Sequence, residues 1–124
     1  MPPLLLVMLG GAVGAGLRFE VGRVALRLAG AGFPWGTLAV NLVGGLLMGV
    51  LAGHLFERGN EGPLWLLAGV GVLGGFTTFS AFSLDMFAML ERGQAVAAVG
   101  YALASVIGAL ALLALGFWAM RAAL

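Results

Sequence analysis

Most of this sequence offers little chemistry, so the few polar side chains set inside long apolar runs carry the functional signal. Asn41, Thr77, Thr78, Ser80, Tyr101 and Ser105 stand in such runs, and Arg18 is the deepest of the charged residues near the end of the first. Their hydroxyl, amide and guanidinium groups make hydrogen bonds, but no nucleophile, base and orienting group fall together. An enzyme is the least favoured class. The one histidine, His54, stands beside Glu57, Arg58 and Glu61 and is read as an interfacial residue. The chain has no cysteine, so disulfides and thiolate metal sites are excluded. Hydrogen-bonding groups in an apolar setting suit two tasks: tying helices together, or lining a polar path.

The densest group of these residues is Gly74-Gly75-Phe76-Thr77-Thr78-Phe79-Ser80-Ala81-Phe82, midway along an apolar segment. Glycine has high backbone entropy, and threonine and serine hydroxyls compete for backbone hydrogen bonds. The stretch therefore predicts a break where a membrane helix should be strongest. In hydrocarbon every peptide group needs a partner, so non-helical backbone is tolerated only where protein covers it or a polar cavity meets it. A break there marks a site. Phe79 and Phe82 are three residues apart, so a helix resuming after the break points both rings to one side. The residues alone favour core or lipid contact for such a pair.

Composition supplies the frame. The chain has 124 residues, 62% hydrophobic and only 9% charged, with a mean hydropathy of +1.13. Those values describe an integral membrane protein with too few polar residues for a separate soluble domain. A net charge of +1 gives no polybasic patch for nucleic acid. The apolar runs predict one all-α domain over 1–124, with four transmembrane helices near 3–28, 34–54, 63–90 and 94–120.

The first run, Pro3 to Leu17, lacks the basic n-region of a leader and is read as a helix continuing through Arg18, Glu20, Arg23 and Arg27. For Arg18 the residues alone favour a snorkelling anchor over a cation in an aqueous vestibule. In the second span Asn41 lies six residues past Trp35, hence about 9 Å deeper. An amide at that depth is costly unless bonded, and alone it reads as helix glue. Gly45, Gly49 and Gly53 continue one face on which another helix can pack closely. The third span exceeds the roughly 20 residues a crossing needs, which fits an interrupted helix. Gly71 and Gly75 allow close packing in its first half, and Asp85 lies near its end. In the fourth span Tyr101 and Ser105 share a face with Gly108 and Ala109, small enough to meet protein. Trp35 and Trp118 are read as belt residues.

Four spans put the N-terminus, the second loop and the C-terminus on one side with Arg58 and Arg121, and Arg23, Arg27 and Arg92 on the other. Two against three is too even for the positive-inside rule to choose, which leaves dual topology open. A chain inserted both ways could pair antiparallel with itself about a two-fold axis in the membrane plane.

Three motifs now coincide. Gly10-Gly11-Ala12-Val13-Gly14-Ala15-Gly16-Leu17-Arg18-Phe19, Gly36-Thr37-Leu38-Ala39-Val40-Asn41 and Gly74-Gly75-Phe76-Thr77-Thr78-Phe79-Ser80 resemble, in order and spacing, the first three helices of the Fluc, or CrcB, fluoride channels. The resemblance covers essentially the whole chain. It implies a passive fluoride channel in a prokaryotic inner (plasma) membrane, built as an antiparallel dual-topology homodimer with two pores. It also implies a central structural sodium ion held by the Gly74 and Thr77 carbonyls of each subunit. By the same resemblance Phe79 and Phe82 form aromatic boxes, Asn41 donates to fluoride, Arg18 sits by a vestibule, and Tyr101 and Ser105 line the pore on the fourth helix. Thr78 and Ser80 are further hydroxyl donors for a small, strongly hydrated anion. Two departures thin this polar track: Ala81 and Ala109 stand where the family usually carries hydroxyls.

Two other readings share parts of the pattern. A proton-coupled small multidrug exporter has the same size and span number, but needs a deep carboxylate, and the only candidate, Glu20, lies between Arg18 and Arg23. An assembly subunit without transport would use Asn41 and the break for packing alone.

Overall fold

The computed structural model describes residues 1–56 and 62–124. Arg58, which enters the orientation argument, lies outside the described residues. Among them helices are the regular elements, and four segments are long and apolar enough to cross a membrane: Pro3–Ala29, Trp35–Leu55, Trp65–Glu91 and Ala95–Ala123.

Each segment begins and ends where local chemistry dictates. Helix α1 (Pro3–Ala29) starts on a proline, whose missing N–H would be unsatisfied there in any case. It stops at Gly30, whose φ of 76° suits glycine and whose N–H caps the Leu26 carbonyl at 2.9 Å. Pro34 precedes α2 (Trp35–Leu55). At the other hairpin Gly93 takes φ 75°, and Gln94 N–H reaches back to Met89 C=O at 2.8 Å before α5 (Ala95–Ala123) begins.

The third segment is irregular. Helix α3 opens in the wide π geometry over Trp65–Leu73, and its bonding shows where the Gly74 N–H reaches back to Gly69 C=O. It closes as the short α-helical piece Gly74–Phe76. Thr77 is then extended, at φ −82° and ψ 158°, and helix resumes as α4 (Ser80–Glu91).

Small residues set the packing. A Cβ on Gly45 would stand 2.8 Å from the Ala109 carbonyl oxygen and one on Gly53 2.6 Å from that of Phe117, while Gly49 rests on the Leu113 oxygen between them. The glycine face of α2 thus lies directly on the backbone of α5, as its spacing predicts. Gly71 and Gly75 meet α1 the same way, at Gly10 and Gly11. Side-chain packing concentrates at one end, where Leu38, Phe82, Met89, Ala98 and Tyr101 form a buried cluster. Elsewhere the apolar windows of the four spans are only 11–28% buried within the chain. The remaining apolar surface suits lipid or another protein.

Candidate functional site

Two helices converge on the extended residue at position 77. On α1, Gly10, Gly14 and Arg18 recur every four residues and share a face. A Cβ at Gly10 would stand 2.9 Å from Gly71 Cα, and one at Gly14 2.8 Å from the Phe76 nitrogen, so α1 touches α3 backbone to backbone. One turn further, Arg18 donates its Nε–H to the Gly75 carbonyl at 3.1 Å.

On α2, Gly44 lies against the Thr77 methyl group and the Phe76 ring. Asn41, nearly one turn earlier, bonds the backbone of Thr78 twice: Nδ2–H donates to its carbonyl at 3.0 Å, and Oδ1 accepts its N–H at 2.9 Å. A backbone N–H can only donate, so this pair fixes which way the amide points. The Thr78 N–H, which a continuous helix would send to Gly74, is thereby diverted to a side chain.

Hydroxyls complete the local satisfaction. Thr77 sends both its N–H, at 3.0 Å, and its Oγ1–H, at 2.9 Å, to the Leu73 carbonyl. Thr78 Oγ1 accepts the Ala81 N–H at 3.2 Å, capping the first turn of α4. Ser83 Oγ–H donates to Phe79 C=O at 2.9 Å.

Beside this turn lies an open cavity of about 490 Å³. Gly74, Thr77, Thr78, Phe79 and Phe82 reach it from the third segment, Asn41 from α2, and Ser105 with Ala109 from α5. Its chemistry is mixed: a mostly apolar wall whose polar lining residues are Asn41, Thr77, Thr78 and Ser105. Ser105 Oγ is buried and meets no hydrogen-bond partner among the described residues. A buried hydroxyl in that state awaits a ligand, a water or an ion. The Phe79 and Phe82 centroids are 5.7 Å apart at 46°, yet Phe79 is 77% exposed and Phe82 only 8%. One ring is part of this chain's core and the other stands uncovered.

Three candidates fall elsewhere. Ser80 is exposed at the start of α4, with its Oγ 3.5 Å from Thr78 Oγ1. Arg18 lines a small cavity of about 70 Å³ with Thr37, Thr78 and Ala81. Tyr101 is buried in the core cluster, its ring tilted at 50° to Phe82 at 5.1 Å and edge-on to Phe33 at 5.4 Å, and its hydroxyl donates to Asp85 Oδ2 at 3.0 Å. The Tyr101–Asp85 pair was not foreseeable, because the two residues lie on different spans and nothing in either local sequence marks the other. The Arg18–Gly75 bond, by contrast, had a signal in the four-residue repeat that ends at Arg18.

The Glu20 carboxylate forms an exposed ion pair with Arg23 at 2.7 Å. Among the described residues no three His, Cys, Asp or Glu side chains gather as metal ligands.

Known proteins give this arrangement a context. Residues 5–117 match the family described as CrcB-like protein, Camphor Resistance (CrcB). The chain is 52% identical to a fluoride-specific ion channel FluC of Mesorhizobium japonicum over 118 residues, 95% of each chain. It is 55% identical to one of Sphingopyxis alaskensis, over 89% of this chain and 88% of that one, and 51% identical to one of a Chelativorans species over 98% of each. A match that spans nearly the whole chain at this identity places it: this protein belongs to the CrcB-like family.

Proposed function

We propose that this chain is a passive fluoride channel of the bacterial inner membrane, a single transmembrane domain over 1–124 that exports cytoplasmic fluoride. The observation that carries the reading is the near-complete match, at about half identity, to relatives named fluoride-specific ion channels. The cavity is consistent with it. Fluoride is small and strongly hydrated, and a pore must replace its water with donors that release it again. Asn41 has a second Nδ2 hydrogen beyond the one given to Thr78, and Ser105 has an uncommitted hydroxyl. Thr78 contributes a further hydroxyl at the cavity wall, whereas Ser80 and Tyr101, which the family resemblance also assigns to the pore, do not line this cavity. Ring edges carry partial positive charge, so Phe79 and Phe82 presented edge-on can face an anion without trapping it.

In this reading the third span is functionally broken at Thr77, and two copies pair antiparallel so that each exposed Phe79 is covered by the other copy. The same pairing supplies a sodium site. The residues suit such a cation: the Gly74 carbonyl has lost its helical donor to Asn41, and Thr77 has left helical angles. Neutral carbonyl oxygens are the ligands a weakly charged hard cation accepts, and two from each copy would make four. Sodium there would tie the two breaks together, a structural task.

The multidrug-exporter alternative loses support because its one carboxylate is exposed and paired with Arg23. Expression in a bacterium stripped of its own fluoride exporters separates the two. Restored growth in fluoride, without protection against a lipophilic cation, is expected; protection against the cation alone would transfer the assignment.

A further inference from the structure

We propose that Arg18 is a positioning residue: together with Asn41 it clamps residues 75–78, and it acts through the Nε–H bond to Gly75 rather than through a free charge offered to an anion. Backbone that leaves the helical ladder inside a membrane span must be satisfied by side chains from its neighbours. Here two side chains do so at either side of Thr77. Asn41 takes both the N–H and the carbonyl of Thr78, at 2.9 and 3.0 Å, and Arg18 takes the Gly75 carbonyl at 3.1 Å. A guanidinium donor to a carbonyl is charge-assisted and stronger than its neutral counterpart.

The approach of Arg18 is built into α1. Gly14, one turn before it, lets the helix come within contact distance of Phe76, and no residue with a Cβ would fit there. The cavity beside Arg18 is about 70 Å³ and shares Gly22, Gly36 and Thr37 with a neighbouring open cavity of about 300 Å³. Neither anchor uses the carbonyls of Gly74 or Thr77. The clamp therefore fixes the turn while leaving those two oxygens for the cation, a consequence that rests on the channel reading above.

Two substitutions separate the bond from the charge. In Arg18→Gln the Nε2 group occupies the place of the arginine Nε, so a donor to Gly75 remains and the charge is gone. Arg18→Met matches the glutamine side chain in length and removes both donor and charge. The readouts, on the full chain in lipid, are the carbonyl 13C shift of Gly75, the exchange rate of the Thr78 amide and fluoride efflux from liposomes. The clamp predicts that Gln keeps the Gly75 shift and stays within about threefold of the parent flux. Met should move the shift, speed Thr78 exchange and lower flux by about tenfold, the equivalent of one lost bond of roughly 1.4 kcal/mol. Equal loss of flux in both variants with the Gly75 shift unmoved would overturn the proposal in favour of a charge effect. If Met does not fold, Gln against the parent decides: a folded Gln protein that loses about tenfold in flux contradicts the clamp. The NMR readouts do not depend on transport. Absence of flux in the parent would therefore sink the channel reading, while the Gly75 shift still judges the clamp.

Discussion

Ser105 carries a stability burden that a bound ligand, water or ion would relieve. Its hydroxyl is buried without a partner among the described residues, and a group in that state costs about 1–3 kcal/mol. Ser105→Ala is expected to leave the thermal midpoint in detergent unchanged or raised, while fluoride flux falls. A lower midpoint with full flux would show that the hydroxyl serves the fold alone. The two phenylalanines divide differently. Phe82 is core, so Phe82→Ile should lower both flux and stability, the latter by about 1–3 kcal/mol. Phe79, 77% exposed in one chain, should lose flux on substitution by Ile with little change in the unfolding of that chain. Unchanged throughput in both would remove the rings from conduction. At this scale the sequence displayed which side chains could do chemistry but not their partners. Asn41 is legible as an intramembrane amide, and its reading as helix glue agrees with the two bonds to Thr78. Arg18 and Tyr101 depend on residues 57 and 16 positions away: the four-residue repeat ending at Arg18 marks the helix face but not its partner, and nothing local marks Asp85 for Tyr101.

Among the elements, the contact of α2 with α5 is the most legible from sequence, because glycine at every fourth position has one obvious structural use. Gly45, Gly49 and Gly53 meet the carbonyls of Ala109, Leu113 and Phe117, which follow the same four-residue step. Backbone lies where a side chain would go, so Gly49→Ala must force the helices apart and is expected to cost about 1–3 kcal/mol. The check is thermal unfolding of the purified protein; an unchanged midpoint would mean that the two helices slide freely. The π geometry of Trp65–Leu73 was not readable. Propensity describes how well a residue tolerates a helix, not how tightly that helix winds. Within the wide stretch Trp65 lies across Gly69 of the same helix, and Gly71 is pressed against Gly10 of α1. The four apolar runs themselves were plain, because bilayer thickness imposes their length.

The whole molecule leaves most of its apolar surface uncovered, which one chain alone does not explain in the cavity beside Phe79. The proposed antiparallel pair accounts for that ring, for the even loop charge and for carbonyls without helical donors. Because the chain has no cysteine, a single cysteine placed at the C-terminus reports orientation directly. Dual insertion predicts labelling by an impermeant thiol reagent from both membrane faces in about equal amounts, as an in-plane two-fold requires. Labelling from one face only would exclude antiparallel pairing.

The most direct measurement is fluoride efflux from liposomes holding the purified chain, followed with a fluoride electrode and repeated with chloride. The account predicts rapid passive fluoride release down its gradient, with chloride retained. A folded, reconstituted protein that releases no fluoride, or releases chloride equally well, would contradict it.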